Sequence, residues 1–380
     1  MKDIADVRQQ LDNIDDQIID LYMQRMALSK DVAEIKKASG KGISDSEREN
    51  KIVYRLAQKV PADMKLYVKE LYSAVFCTSK AYQSKLIGQS SKTLADLAQF
   101  EGEGQLPWPA EATVACQGVK GANSGVAAQK LFAVSDVTYF RDFDGVFSAV
   151  ERGLCEYGVL PIENSTAGSV SEVYDLMKKH NFYVVRSVRV RVDHCLCALP
   201  GTNVADIKKV YSHPQALSQC AEFLKKNGFV PCTADNTAVA GKMVAESGDR
   251  TIAALCTAEC AEAYGLKIIK KSVQDNLANF TRFICISKDL KVFKGADRIS
   301  VMTSLSHKPG SLNMILSRFS ALGLNLTKIE SRPIAGAEFE FMFYFDFEGD
   351  TRDADVKNVI AELENGSENF VFLGNYKEVL

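Results

Sequence analysis

The sequence predicts a multidomain chain: an all-α N-terminal module, a central α/β segment, and a C-terminal α+β unit of βαββαβ order. Three observations carry this. Apolar residues recur at spacings of three and four from Ile4 to Ile35, the period of one long helix. From Thr113 onward short apolar runs alternate with helical stretches, each run closed by small polar residues, which is the grammar of α/β folding. Near the C-terminus Phe339, Phe341, Phe343, Phe345 and Phe347 alternate with other residues, giving a strand one strongly apolar face. At 380 residues two or three domains are expected.

The first helix places Ile4, Val7, Leu11, Ile14, Ile18, Leu21, Leu28, Val32 and Ile35 on one stripe that should be buried, and Arg25 occupies the position between Leu21 and Leu28. Arg8 and Lys36 flank the stripe one residue past Val7 and Ile35. Burying such a seam is costly unless an anion answers it, and a small carboxylate is the obvious candidate. Arg25 and Lys36 stand roughly 16 Å apart along the helix, so both can reach one small dianion, whereas Arg8 lies roughly 25 Å from Arg25. Arg8 is therefore expected to serve a symmetry-related site in an antiparallel homodimer. Spacing alone fits equally well a register-setting arginine in an ordinary coiled coil.

Ser44 and Glu47 have capping-box spacing ahead of a second helix that carries Arg48 and Glu49. A third helix, about Asp63 to Leu86, sets Ser79 and Gln83 one turn apart on one face. With Arg8, Arg25, Lys36, Asp45, Arg48, Glu49, Ser79 and Gln83 in this order, residues 1–87 resemble the all-helical chorismate mutases. The resemblance implies a helical dimer and a pericyclic rearrangement of chorismate to prephenate, which needs no nucleophile. Arg25 and the partner's Arg8 would clamp the two carboxylates. Lys36 and Gln83 would face the ether oxygen, where charge develops only in the transition state. Arg48 would support the carboxylate site and Glu49 would orient the substrate hydroxyl, with Asp45 and Ser79 positioning these groups.

Formal net charge is −2 with dispersed Lys and Arg, so no nucleic-acid surface is expected. No apolar run has membrane-spanning length, and the N-terminus reads as charged periodic helix rather than a signal peptide. The ten cysteines, among them Cys155, Cys195, Cys197, Cys220, Cys232, Cys256 and Cys260, form no metal or disulfide frame. They read as reduced core thiols of a cytoplasmic enzyme. His180, His194, His213 and His307 are scattered, so neither a metal nor a cofactor is expected.

Residues 88–111 turn to Ser, Gln, Gly, Pro and acids and read as a linker with a short helical piece from Leu94 to Phe100. Gly102 and Gly104 lack a third glycine and a preceding strand, so no dinucleotide fingerprint is read there. Beyond it, strands are expected at Thr113–Gln117, Gly158–Ile162, Lys209–Ser212 and Thr251–Leu255. The turns after them are Gly118 to Ser124, Glu163 to Thr166, Ser212 to Gln215, and Cys256-Thr257. Helix N-termini there would offer N–H groups to a carboxylate.

Pro161-Ile162-Glu163-Asn164-Ser165, Ser212-His213-Pro214-Gln215-Ala216-Leu217 with Gln219-Cys220, and Asn279-Phe280-Thr281-Arg282-Phe283 resemble the signature blocks of prephenate dehydratases over about 113–287. The resemblance implies a two-lobed, periplasmic-binding-protein-like α/β fold spanning 112–290, with the chain crossing twice between lobes. Thr281 would return to the first lobe and donate a proton to the departing hydroxyl as carbon dioxide leaves. Asn164, Ser165, Thr166, Ser212, Gln215, Gln219, Thr237 and Arg282 would bind substrate, with Glu163 structural or tuning. Ala122-Asn123-Ser124 departs from the family's usual Ser-aromatic-Ser, which weakens any role for that turn.

Residues 296–380 give strands at Arg298–Leu305, Leu324–Glu330, the phenylalanine run and Phe370–Leu373, and helices at Pro309–Ala321 and Asp353–Leu363. Pro309-Gly310-Ser311-Leu312 and Glu330-Ser331-Arg332-Pro333 resemble the two motifs of a phenylalanine-binding ACT domain, although Ser311 stands where alanine is usual. The whole order resembles the bifunctional chorismate mutase/prephenate dehydratases, or P-proteins. It implies chorismate, prephenate and L-phenylalanine as small-molecule partners, feedback inhibition, and a homodimer or higher homo-oligomer sharing mutase sites between chains. Three other readings stand beside it: an arogenate-preferring dehydratase, a non-catalytic phenylalanine sensor, and a dehydrogenase fusion, the last lacking a nicotinamide fingerprint.

Overall fold

The computed structural model describes residues 3–39, 43, 45–88, 91–101, 104–305, 310–334, 340–367 and 369–380. Ser44, Gly102, His307, Pro309 and Phe339, singled out above, lie outside them. The chain divides into two compact units. One holds 1–98, 303–326 and 351–370, the other 99–302, 327–350 and 371–380.

In the first unit, helices α1 (Ile4–Ser39), α2 (Ser46–Ala57) and α3 (Lys65–Ile87) form the N-terminal module, with α1 and α2 both packed on α3. Asp45 caps α2: its carboxylate accepts from the backbone N of Arg48 at 3.0 Å, satisfying a donor that the helix start leaves free. Gly88 closes α3 with φ 65°, a left-handed cap that glycine adopts without strain.

The segment read as a linker holds the short helical piece expected there. Ser91 caps the short helix α4 (Lys92–Leu97), and Ser91 and Thr93 both donate to Glu364 of a later helix of the same unit. Trp108 stacks on Phe132 with ring centroids 5.0 Å apart and donates Nε1–H to the Leu131 carbonyl at 2.7 Å. Composition points to loop here, yet one serine cap and the chain's single tryptophan fasten the segment.

The second unit opens with β1 (Glu111–Gln117), α5 (Asn123–Leu131), β2 (Val134–Phe140), α6 (Phe143–Glu151), β3 (Tyr157–Asn164), β4 (Gly168–Ser169), α7 (Ser171–Met177) and β5 (Tyr183–Arg191). The chain then crosses to β6 (Cys195–Ala198), β7 (Lys209–Ser212), α8 (Pro214–Gln219), α9 (Ala221–Asn227), β8 (Val230–Thr233), α10 (Thr237–Ser247), β9 (Ile252–Cys256), α11 (Ala258–Ala263) and β10 (Lys267–Lys270). It returns as β11 (Phe280–Ser287). The last elements are β12 (Arg298–Leu305), α12 (Ser311–Ala321), β13 (Leu326–Pro333), β14 (Phe341–Glu348), α13 (Ala354–Gly366) and β15 (Phe370–Val379), in the predicted βαββαβ order. Helices α12 and α13 belong to the first unit and most of the strand residues to the second.

Two sheets make the lobes. The smaller runs β10-β6-β9-β7-β8, and the larger runs β13-β14-β12-β15-β5-β11-β3-β1-β2 with β4 on β3. The C-terminal strands thus extend the sheet of the first lobe through the parallel pairing of β15 with β5. Buried apolar side chains sandwich that sheet on both faces: Val114, Ala128, Val159 and Phe283 on one, Phe147, Leu160, Tyr174 and Ile284 on the other. The crossings are pinned together. Gln274 Oε1 accepts from the His194 backbone N at 3.0 Å while Gln274 Nε2 donates to the Val192 carbonyl at 3.3 Å.

Candidate active sites

The inner face of α1 is not the one the apolar period picks out. Tyr22, Arg25, Met26, Ser29, Ala33 and Lys36 are wholly or partly buried, whereas Leu11, Leu21 and Leu28 remain 53, 65 and 64% exposed. The apolar stripe therefore faces outward in the single chain, with Arg25 beside it. Opposite this inner face α3 presents Ser79 and Gln83, both buried. Arg25 Nη1 donates to Ser79 Oγ, and the guanidinium sits 5.7 Å from the Phe76 ring centroid, a favourable place for a cation. Lys36 Nζ donates to the Ile43 carbonyl at 2.5 Å.

Gln83 Oε1 is buried without a hydrogen-bond partner among the described residues. Such an atom costs free energy until something meets it, and whichever way the amide is turned, a polar atom faces the Arg25 side of α3. Glu49 pairs with Lys80 at 3.1 Å, a cation that the sequence reading missed although it adjoins Ser79. Arg48 and Arg8 are exposed; Arg8, near the far end of α1, is too distant to join this constellation in its own chain.

The second site is built on the β3–β11 ladder. Register pairs Asn164 with Thr281, so both side chains rise from the same face. Asn164 Oδ1 accepts from the backbone N of Thr166 and Ala167 at 3.0 and 2.9 Å. Those two donors fix the amide's orientation, so Nδ2 must point the other way. It donates to Thr281 Oγ1 at 3.0 Å and to Asn279 Oδ1 at 2.8 Å. With a lone pair of Thr281 engaged, its own O–H remains free to donate. Ser165 Oγ is consumed locally, accepting from the Phe280 backbone N at 3.0 Å and donating to the Ala278 carbonyl at 3.3 Å. Thr166 is exposed.

From the other lobe, the predicted turn after β7 does open α8: His213 caps it, accepting at Nδ1 from the Gln215 backbone N at 3.2 Å, and the Gln215 side chain is exposed. Thr237 begins α10 behind its cap Asn236. Thr257 caps α11 and donates Oγ1–H across to the Gly121 carbonyl at 3.0 Å. Gly121 has φ 86°, and a Cβ there would lie 2.5 Å from Cys260 Cα, so the lobes meet where only glycine fits. Gln219 Oε1 receives His194 Nε2 at 3.0 Å, and burial holds His194 below its ordinary imidazole pKa.

Two predicted substrate contacts are corrected. Ser212 is fully buried and donates to the Leu255 carbonyl at 2.7 Å, inside the sheet rather than toward a cleft. Arg282, one residue beyond Thr281 on a strand, points to the opposite face, is 8% exposed and is held by protein carboxylates: Glu163 Oε1 lies 2.7 Å from Nε and Asp346 Oδ2 2.6 Å from Nη2. Burial alone would raise the Glu163 pKa, but Arg282 and Lys328 hold it below the usual carboxylate value. Asp346 escaped the sequence reading, though a lone aspartate inside Tyr344-Phe345-Asp346-Phe347 is the kind of anomaly that signals a buried pair.

Of the C-terminal motifs, Gly310 caps α12 with φ 88° ahead of half-buried Ser311 and Leu312, in the first unit. The other motif lies on β13 in the second. There Glu330 accepts from Ser169 Oγ at 2.5 Å, and Arg332 reaches Asp175 with Nε and Nη2 at 3.1 and 2.7 Å. Ser331 and Pro333 are exposed.

Fold and sites together define a two-lobed α/β enzyme preceded by a helical, cation-lined module and followed by a βαββαβ unit. The chain belongs to the prephenate dehydratase family. The prephenate dehydratase family model matches residues 114–291 and the type II chorismate mutase model residues 7–84. Arogenate dehydratase/prephenate dehydratase 2 of Arabidopsis thaliana is 40% identical over 69% of this chain and 72% of its own length. The bifunctional chorismate mutase/prephenate dehydratase of Escherichia coli K12 is 28% identical over 97% of this chain and 95% of its own. The crystal structure of a prephenate dehydratase from Arthrobacter aurescens in complex with L-Phe superposes with TM-score 0.65 and 28% identity, covering 70% of this chain and 89% of that one. This chain is accordingly an enzyme with both a chorismate mutase and a prephenate dehydratase domain.

Proposed function

We propose that the chain converts chorismate to prephenate on the α1–α3 face and prephenate to phenylpyruvate, carbon dioxide and water at Thr281, in the cytoplasm. The observation that carries the second step is the oriented Asn164–Thr281 pair, which leaves a hydroxyl proton free at the one threonine the family motif singles out. Aromatisation drives the elimination, so one hydrogen-bond donor at the departing hydroxyl and a carboxylate site suffice.

For the first step, Arg25 and Lys36 supply fixed positive charge and Gln83 a buried side-chain amide on one face. Arg48, Glu49, Asp45 and Ser79 position these groups. The exposed stripe of α1 is the surface on which a second copy would pack antiparallel, bringing the partner's Arg8 to the substrate carboxylates. Phenylalanine is read by the βαββαβ unit through Gly310 to Leu312 and Glu330 to Pro333, and lowers dehydratase activity. Prephenate rather than arogenate is favoured because the mutase on the same chain makes prephenate.

The test compares steady-state kcat/KM for prephenate and arogenate under alkaline quench, since acid dehydrates prephenate unaided. A preference for prephenate supports the assignment. Turnover of arogenate alone overturns it.

A further inference from the structure

The catalytic ladder carries a defect next to its reacting residue. Between Arg282 and Phe283 the β11–β3 register shifts, Arg282 facing Glu163 but Phe283 facing Pro161. An unpaired residue of this kind loosens a ladder and re-aims its side chains. The next pair along is Thr281 and Asn164. What fixes that pair is therefore not regular register alone.

On the back face the missing restraint comes from charge. Glu163 forms ion pairs with Arg282 through one oxygen and with Lys328 Nζ through the other, at 2.7 and 2.8 Å. Asp346 binds Arg282 at 2.6 Å through Oδ2 and takes a hydrogen bond from Ser300 Oγ at 2.6 Å through Oδ1. Lys328 also donates to Ser169 Oγ at 2.8 Å, the residue that β4 pairs with Glu163. Two carboxylates and two cations thus alternate in a partly buried series, Lys328–Glu163–Arg282–Asp346. Lys328 and Asp346 come from β13 and β14, strands outside the dehydratase match. Buried pairs with two anchors per carboxylate define geometry more sharply than they add stability.

We propose that Asp346 and Lys328 are positioning residues for the dehydration step: acting through Arg282 and Glu163 on the back of the β3–β11 ladder, they hold Thr281 and Asn164 in register on its front. The C-terminal unit is then part of the catalytic scaffold and not only an appended sensor. The inference rests on Thr281 being the proton donor.

The experiment measures prephenate dehydration and chorismate rearrangement for the full-length wild type, Asp346→Asn, Lys328→Met, Thr281→Ala, and Thr281→Ala combined with Asp346→Asn. The expected result is a dehydratase kcat lowered about tenfold by either back-face change, KM within about twofold, mutase kcat unaltered, and no further loss when D346N is added to T281A. A KM rise at constant kcat, unchanged kcat in both single variants, or the same factor lost in the T281A background overturns the proposal. Should D346N not fold, K328M decides, because Lys328 is partly exposed and its removal leaves the Arg282–Asp346 pair intact. Full activity of T281A alone would instead sink the reading of Thr281.

Discussion

Asn164 Nδ2 donates to Thr281 Oγ1 across a ladder that pairs these two residues in register, and two backbone N–H groups on Asn164 Oδ1 leave the amide no other orientation. One lone pair of Thr281 Oγ1 is thus engaged, and its O–H is left available as the donor that the proposed dehydration needs. Replacing it with alanine is expected to lower dehydratase kcat by about 10²-fold or more, with chorismate rearrangement unchanged, as read by the two assays on one preparation. Serine should recover most of the loss; equal loss with serine would mean that the hydroxyl is not what matters.

Gln83→Ala tests the first site. Gln83, whose buried Oε1 has no hydrogen-bond partner among the described residues, is expected to turn its amide N–H to the ether oxygen, so its loss should lower mutase kcat by about 10²-fold, the cost of one oriented donor at a developing charge. Dehydratase kinetics should not move. A mutase kcat within about twofold of wild type would remove Gln83 from the reaction.

Acid stability should report Glu163. Its carboxyl is held below the ordinary value, against burial, by Arg282 and Lys328. A depressed carboxylate contributes stability that is complete above its unfolded pKa, near about 4.3, and lost as pH falls through the folded one. Thermal midpoints of the wild type should therefore drop on acidification below about pH 4.3 more steeply than those of Glu163→Gln. Parallel curves for the two proteins would contradict the ion cluster.

Thiol reactivity should follow burial. Burial pushes the Cys116 and Cys220 thiols up to about 12 and Cys195 to about 11, and only Cys77 and Cys232 are even partly exposed. A thiol-disulfide reagent at pH 8 should modify those two in the native protein and the rest only after denaturation. Rapid native labelling of Cys256 or Cys260 would show that the second lobe opens.

How far the sequence is legible follows the physics of each element. Strands such as Lys209–Ser212 and Arg298–Leu305 appear with their expected bounds, because short apolar runs between turn residues have few other ways to pair. The family blocks locate Asn164 and Thr281. The direction of Arg282 is lost on a motif that reads Thr-Arg as one unit, since neighbours on a strand face opposite ways. Its carboxylate partner Asp346 lies far along the chain, and long-range ion pairs leave no periodic trace. On α1 the period marks the stripe that is exposed in the single chain, whereas the face packed on α3 is the mixed one of Arg25, Ser29, Ala33 and Lys36. Between α3 and β1 the expected short helical piece appears as α4, while its anchors Ser91 and Trp108 leave no compositional trace.

The most direct test is to incubate the purified full-length protein with chorismate alone, quench in alkali, and quantify prephenate and phenylpyruvate with and without L-phenylalanine. Two active sites on one chain predict that phenylpyruvate accumulates through transient prephenate and that phenylalanine lowers its rate. Prephenate accumulating with no phenylpyruvate would contradict the dehydratase assignment for this substrate, and a phenylalanine-insensitive rate at concentrations where the amino acid binds would contradict the sensor.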